Sequence, residues 1–458
     1  MVSSAYNRIL IPALCAILLM TPSIWNHFPL VTSDTGAYIE NAYHLSLPND
    51  RPLTYSYFTL FTSLHLSLWL TILVQSMLLS LLILSFIAHI LQRSPDKKQA
   101  VLTIILLCAL TSCSWYTSQV MPDIFTPMIF LASVNYYYAT TFKIRLIYIL
   151  LIYSSILTHN SNLVITLLFY TIVFVIGILM RTNPQIRKKA ATLLIVSVLS
   201  WLTLCSLHAI GGFGFRPSKS SHIFLIAKLS ENGVLKEYLD THCQKEQFRL
   251  CSYKNSLPDH AWDFIWNDDG PFAHSGYWDS SEVEYSNIIK GTLTEPHFIW
   301  MNVKESLKAT MRQFILTNIG DGLTPQVEGS NSFWKIQEHY RSELIPYLKS
   351  KQSTGAIHVQ MINLLYACSF ILSFIVLFLL VMLKKIDLRI LFIIALTILF
   401  CLINAFTTAS LANILARLNS RCLWLIPFVV IIVLVELIWM HGKQSNLNLQ
   451  HHATTDAD

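Results

Sequence analysis

Long apolar runs separated by short polar segments dominate the chain. A helix needs roughly 20 mainly apolar residues to cross a hydrocarbon core of about 30 Å, and ten runs approach or reach that length. They cover residues 9–27, 66–91, 100–117, 122–140, 146–158, 162–180, 190–210, 358–383, 390–410 and 422–441. The pattern predicts an all-α polytopic membrane protein with about ten transmembrane helices.

Two features modify this count. The fifth run is short because a polar tetrapeptide at residues 159–162 separates it from the sixth. Residues 52–65 are apolar and aromatic, but they directly precede the second run. They predict a helix that lies at the membrane surface or re-enters the membrane, rather than an eleventh crossing.

The runs divide the chain into four parts. Residues 1–210 form a seven-span module with a first outer loop at 28–65, and residues 358–441 form three further spans before a polar tail at 442–458. The intervening segment, 211–357, is far longer than a connection needs, which predicts a small domain or a lid.

The long segment has a mainly helical pattern. Pro296 opens one helix, in which apolar residues recur every three or four positions as far as Phe314. Further helices are predicted near residues 281–290 and 333–349. Its five tryptophans indicate either anchoring at lipid headgroups or stacking on sugars; they are Trp262, Trp266, Trp278, Trp300 and Trp334.

The amino-acid composition narrows the class of protein further. Hydrophobic residues make up 53% of the chain and charged residues only 13%, about half the usual share of a soluble protein. An ordinary soluble enzyme, a disordered chain and a nucleic-acid-binding module are thereby excluded.

The distribution of charge predicts the topology. With the N-terminus inside, the inner segments hold 14 Lys and Arg against four Asp, and the outer segments hold 18 Lys and Arg against 21 acidic residues. The positive-inside rule therefore predicts cytoplasmic termini and an extracytoplasmic segment 211–357.

Seven of the nine cysteines lie in or at the ends of apolar runs, where a thiol behaves as a small hydrophobic group. The other two, Cys243 and Cys251, lie eight residues apart in the long outer segment. An oxidising compartment favours a disulfide between them, with two free thiols as the alternative. No pattern of His and Cys predicts a metal site.

The first outer loop contains the leading candidate. Asp34 follows the first run, within a Ser-Asp-Thr-Gly-Ala-Tyr sequence that also contains Tyr38. Its carboxylate is either a general base at the membrane boundary or the cap of a short helix over 35–45. Arg51, next to Asp50, either forms a local ion pair or binds a phosphate.

Four more residues lie at the predicted outer ends of the runs. Asp123 either starts a helix or lines the same cavity as Asp34, and His159 is either packed at the interface or part of a site. Arg417 and Arg421 lie on the side that the positive-inside rule makes poor in arginine. They are candidate ligands of an anionic headgroup or a pyrophosphate.

The layout resembles the GT-C superfamily of integral-membrane glycosyltransferases, which includes the protein O-mannosyltransferases and the lipid A aminoarabinose transferase. The resemblance rests on the seven runs before a large outer segment and on Asp34 in the first outer loop, followed by Asp50-Arg51-Pro52. It implies an enzyme that transfers a sugar, with inversion, from a polyprenyl-phosphate donor to a glycan, lipid or protein acceptor. Asp34 would be the catalytic residue. Asp123, Arg51, Tyr38, His159, Arg417 and Arg421 are the candidate substrate-binding residues.

The resemblance leaves the cofactor open. Many members carry two adjacent acids in this loop, whereas Thr35 follows Asp34 here. Transfer without a metal, or with a weakly required divalent cation, is therefore expected.

Two other functions compete with the enzyme. One is a transporter or flippase of a lipid-linked saccharide, and the other is a non-catalytic partner in envelope-glycan assembly. Transporters tend to show repeats and charged residues at mid-membrane, whereas these runs hold almost no charge apart from Glu436. Short inner loops predict a bacterial inner membrane with the large loop in the periplasm, the bilayer as a partner and no nucleic acid.

Overall fold

The computed structural model describes residues 2–44 and 47–455. Helices make up 74% of the protein, and the described part contains no β-strand, which confirms the prediction of an all-α fold. By length and composition, six helical segments are suited to cross a membrane. They are Leu68–Leu91, Asn160–Leu179, Pro184–Ile210, Gln360–Met382, Leu388–Leu411 and Ala416–His441.

The N-terminal part contains eleven α-helices within the described residues. They are α1 (Val2–Leu19), α2 (Thr21–Asn26), α3 (Thr35–Tyr43), α4 (Thr54–Ser63), α5 (Leu68–Leu91), α6 (Lys97–Leu110), α7 (Cys113–Thr117), α8 (Phe125–Tyr138), α9 (Phe142–Ile156), α10 (Asn160–Leu179) and α11 (Pro184–Ile210).

The other four predicted spans are helical but shorter. The apolar part of α1 is Ile9–Leu19, and α6, α8 and α9 have 14 to 15 residues each. Helix α6 ends because Thr111 is extended, after which α7 begins a separate short helix. The structure therefore supports a bundle with six candidate spans, and the count of ten stays a prediction.

The first loop folds into α3 and α4, so residues 52–65 contain a separate helix, Thr54–Ser63, and its position relative to the membrane stays a prediction. Leu64 and His65 have positive φ values of 53° and 57°, and the chain turns there before α5 begins. Leu30 bonds with Ser118 and Val120 through two backbone hydrogen bonds of 2.9 Å. This short bridge holds the first loop beside the segment that precedes α8.

Residues 211–357, here called the cap, contain nine α-helices. They are α12 (Ser221–Glu231), α13 (Val234–His242), α14 (Ala261–Trp266), α15 (Pro271–His274), α16 (Tyr277–Ser280), α17 (Glu282–Thr294), α18 (Pro296–Phe314), α19 (Asn331–His339) and α20 (Leu344–Leu348). Helices α12 to α18 surround a hydrophobic core of their own, with Phe264, Phe272 and Tyr285 at its centre. Cys243 and Cys251 form a disulfide at its edge, with Cα atoms 5.7 Å apart.

The C-terminal part contains α21 (Gln360–Met382), α22 (Leu388–Leu411), α23 (Ala416–Leu423) and α24 (Leu425–Thr455). The predicted polar tail at 442–458 continues α24 as far as Thr455, and residues 456–458 lie outside the described part. Cap helix α19 packs on α3, and α23 reaches the segment before α8. The first loop, the cap and the start of α23 therefore meet at one end of the bundle.

Candidate functional site

Asp34 is at the position where a residue would cap α3, but its carboxylate has other partners. It accepts no capping hydrogen bond from the described backbone. Instead Oδ2 accepts from Nη2 of Arg417 at 3.0 Å, and Oδ1 accepts from Nη2 of Arg51 at 3.4 Å. The side chain of Asp34 therefore does not cap the N-terminus of α3, which was the alternative considered from the sequence. It lies between two guanidinium groups instead.

Arg51 is oriented by its own loop. Its Nη2 lies 2.6 Å from Oδ2 of Asp50, so the local ion pair considered from the sequence is present. A second nitrogen, Nη1, donates to the backbone oxygen of Asp34 at 3.3 Å, and the guanidinium lies 5.0 Å from the ring centre of Tyr38. The loop thus holds one arginine firmly against Asp34.

Arg417 comes from the other end of the chain, in the first turn of α23. Its backbone N–H donates to Oδ2 of Asp321 at 3.0 Å. Gly322 has φ +78°, and a Cβ there would lie 3.4 Å from Nη1 of Arg417. A glycine at this position lets the cap approach the guanidinium closely. The Nε of Arg417 is buried and donates to no acceptor in the described part of the chain.

Arg421 lies one helical turn after Arg417 but has different surroundings. Its Nη1 pairs with Oδ1 of Asp123 at 3.0 Å, and both side chains are buried. Its Nη2 donates to Oγ of Ser161 at 2.9 Å and to Oδ1 of Asn404 at 3.2 Å. Arg421 therefore links four helical segments through Nη1 and Nη2, while its Nε, like that of Arg417, donates to no acceptor in the described part of the chain.

His159 adjoins this buried network. Its Nδ1 accepts from the backbone N–H of Ser161 at 3.2 Å, which caps α10. Burial, and then the charge of Arg421, lower the pKa of His159 to about 3. The imidazole is therefore neutral at physiological pH, as the capping bond requires.

The electrostatic state of Asp34 follows from these contacts. Burial alone would raise the pKa of this carboxyl, but the charges and hydrogen bonds of Arg417 and Arg51 outweigh it and hold the pKa below its usual value. The side chain keeps 27% exposure, against 16% for Arg417 and 14% for Arg51. The carboxylate of Asp34 is therefore ionised beside two cations and remains partly exposed.

The residues around Asp34 do not fit a divalent cation. Two guanidinium groups occupy the space beside its carboxylate, and a metal ion there would face two positive charges at close range. Elsewhere in the described part, Glu40, Glu338 and His339 place possible ligand atoms within 4.8 Å of one another. The ammonium of Lys335 is paired with both of those carboxylates, so a lysine already supplies the positive charge.

The structure brings all the candidate residues to one end of the bundle, with different roles. Asp34, Arg51 and Arg417 form the half-open group, with side chains that are 14% to 27% exposed. Tyr38, Asp123 and Arg421 form the buried group, and the partly buried His159 adjoins it. Ser161, Asn404 and Asp321 were not selected from the sequence. Asn404 had a signal, because an amide inside an apolar run requires a polar partner, and Ser161 belongs to the polar tetrapeptide at 159–162.

Comparison of the chain with known protein families, with curated proteins and with solved structures finds no match.

Proposed function

We propose that this chain is an inverting glycosyltransferase of the membrane, using a polyprenyl-phosphate sugar donor. In this proposal ten helices span a bacterial inner membrane, both termini are cytoplasmic, and the cap and Asp34 face the periplasm. The observation that carries the proposal is the position of the Asp34 carboxylate between the guanidinium groups of Arg417 and Arg51. A base and two anion-binding groups are the functional groups that this transfer requires.

The arginines have two possible partners in this mechanism. A guanidinium group binds phosphate through parallel N–H donors at least as well as it binds a carboxylate. The donor phosphate would compete with Asp34 for Arg417 and Arg51, and the buried Nε of Arg417 adds a donor that the protein leaves unused. Once the arginines turn to the phosphate, the pKa of Asp34 rises towards that of a useful base.

The transfer step then balances without a nucleotide. The acceptor hydroxyl oxygen forms a bond to the anomeric carbon, and Asp34 takes the hydroxyl proton. The bond between the anomeric carbon and the phosphate oxygen breaks, and its electron pair stays on the polyprenyl phosphate. Arg417 and Arg51 stabilise the negative charge that develops there.

The buried group serves as support. Arg421 fixes the first turns of α23 against Asp123, Ser161 and Asn404, so that Arg417 stays beside Asp34. Tyr38 lies against the guanidinium of Arg51, and His159 holds the start of α10 without changing charge. These residues position the groups that meet the donor.

The proposal is tested by binding of polyprenyl phosphate, which is the product for any sugar, and by turnover of a panel of polyprenyl-phosphate monosaccharides. Asp34→Asn should abolish sugar transfer and bind polyprenyl phosphate more tightly, because the carboxylate that competes for both arginines is gone. Arg417→Gln should weaken binding of polyprenyl phosphate but leave binding of uncharged polyprenol unchanged.

Two exposed residues of the cap provide controls. Glu338→Gln removes one negative charge, as Asp34→Asn does, and Arg341→Gln removes one positive charge, as Arg417→Gln does. Both control positions are exposed, and neither substitution should alter binding or turnover. Continued sugar transfer by Asp34→Asn would overturn the assignment of the base. Equal binding of polyprenyl phosphate and polyprenol by the unaltered protein would overturn the role of the arginines.

A further inference from the structure

Helix α18 has three distinct sides. Its residues Phe298, Ala309, Thr310 and Gln313 are buried against the rest of the protein. At 3.6 residues per turn, these four positions share one side of the helix. Only one of them is a large apolar residue, so the side that packs inward is not the most apolar side of the helix.

The apolar stripe of α18 faces away from the protein. Ile299, Trp300, Val303, Leu307 and Met311 are between 40% and 67% exposed. They recur at three- and four-residue spacing and form one continuous face about 20 Å long. An apolar stripe on a soluble surface usually faces the core, so this one requires a partner outside the chain.

A row of cations borders this stripe. Lys304, Lys308 and Arg312 follow one another at four-residue spacing, and all three are exposed. Lys308 also pairs with Glu305 of the same helix at 2.7 Å. The basic row lies beside the apolar stripe, so the helix presents hydrocarbon and positive charge together.

Helix α18 also adjoins a candidate membrane span, α22. Helix α18 packs along α22, and Gln313 donates to the backbone oxygen of Leu415 at 2.8 Å, just after α22 ends. Phe406 and Leu411 of α22 are also exposed apolar residues. The buried side of α18 therefore holds this helix beside a candidate span, and both helices carry exposed apolar residues.

We infer that α18 lies in the bilayer interface on the cap side, with its apolar stripe among the acyl chains and its basic row on anionic headgroups. A helix with an apolar face and a cationic border is the form in which chains lie in the membrane plane, and Lys and Arg near an anionic surface are attracted to it. Trp300 is of the type enriched at that depth. The inference is independent of the sugar-transfer proposal.

The test places a small fluorophore on Leu307→Cys of the full chain, in a Cys368→Ala background because Cys368 is the exposed free thiol among the described residues. The protein is reconstituted into phosphatidylcholine vesicles, with or without phosphatidylglycerol, that contain lipids with nitroxides on the acyl chain. We expect strong quenching at Leu307→Cys and less at Val283→Cys, an exposed apolar position of α17 without a basic row.

A separate variant tests whether the basic row binds anionic headgroups. Replacing Lys304, Lys308 and Arg312 together by Gln should abolish any increase in quenching that phosphatidylglycerol causes. Replacing Lys245, Lys254 and Lys290 of the same cap should leave that increase unchanged. Absence of quenching at Leu307→Cys, or quenching equal to that at Val283→Cys, would overturn the inference. Energy transfer between labelled copies would also overturn it, because it would show that a second copy covers the stripe in place of lipid.

Discussion

Arg417 and Arg421 show how much the surroundings decide the role of a side chain. Both are arginines on α23, one turn apart, and both pair with an aspartate at 3.0 Å. The pair of Arg417 with Asp34 is half-open, whereas the pair of Arg421 with Asp123 is buried and shared with Ser161 and Asn404. We therefore propose that the first pair meets the ligand and that the second maintains the fold.

The buried pair gives a stability prediction. Arg421→Gln leaves the carboxylate of Asp123 buried without its counter-charge, which should cost about 3–5 kcal/mol of unfolding free energy. Asp123→Asn should cost a similar amount. The double variant should be less destabilised than the two single variants together, because no unpaired charge remains, and thermal unfolding in detergent measures all three.

An exposed pair provides the comparison. Lys236 and Asp240 lie 2.7 Å apart on α13 with about half of the lysine side chain exposed, and such pairs contribute little. Lys236→Gln should therefore change the unfolding temperature very little. Additive effects of the Asp123 and Arg421 substitutions would show that the two side chains do not act as a pair.

The sequence could indicate these residues only in part. Arg417 and Arg421 stand out because arginine is unusual on that side, and Asp34 and Asp123 stand out as acids at the ends of apolar runs. The partners could not be assigned, since each aspartate lies about 300 residues or more from its arginine. Which arginine is buried depends on the face that α23 turns inward, and nothing in the local sequence fixes that face.

At the scale of the element, contact between α3 and α19 positions the first loop. The backbone N–H of Gly36 donates to Oγ of Ser332 at 2.8 Å, and Oγ of Ser332 donates to the backbone oxygen of Thr32 at 2.6 Å. A Cβ at Gly36 would lie 2.6 Å from the backbone nitrogen of Ser332. Glycine is required here because two backbones approach each other closely.

Gly36→Ala should therefore separate α19 from α3. A backbone neighbour cannot move aside as a side chain can, so we expect a loss of about 1–3 kcal/mol in unfolding free energy together with weaker binding of polyprenyl phosphate. Thermal unfolding and ligand binding measure the two effects. Gly177→Ala is the control, because its new Cβ would meet only the side chains of Arg187 and Thr182, at 3.3 Å. Equal behaviour of the two variants would contradict this explanation.

The positions of the helices could largely be predicted from the sequence, whereas the side of each helix that is buried could not. Apolar periodicity located the helix that became α18, and Pro296 marked its first turn. The periodicity did not reveal which side of this helix is buried: small and polar residues such as Ala309 and Gln313 are buried, whereas the stripe through Leu307 is exposed. A stripe that meets lipid has the same periodicity as one that meets a protein core.

At the scale of the whole molecule, the distribution of charge predicts how the bundle is oriented. Lys143, at the start of α9, should lie inside, whereas Lys290 of α17 should lie outside. Both side chains are exposed in the structure. In a Cys368→Ala background, a membrane-impermeant maleimide on intact spheroplasts should label Lys290→Cys but not Lys143→Cys. Both variants should react after permeabilisation, and the reverse pattern on intact cells would contradict the topology.

The pairing of Asp34 with Arg417 also has a consequence for biosynthesis. The two residues are separated by 383 positions, so the ribosome must add all of these residues before the second partner emerges. A nascent or truncated protein that ends before α23 has the carboxylate of Asp34 without the arginine from the C-terminal part. The site can therefore form only after α23 has been synthesised and has packed beside the first loop, so its assembly follows the insertion of the N-terminal helices.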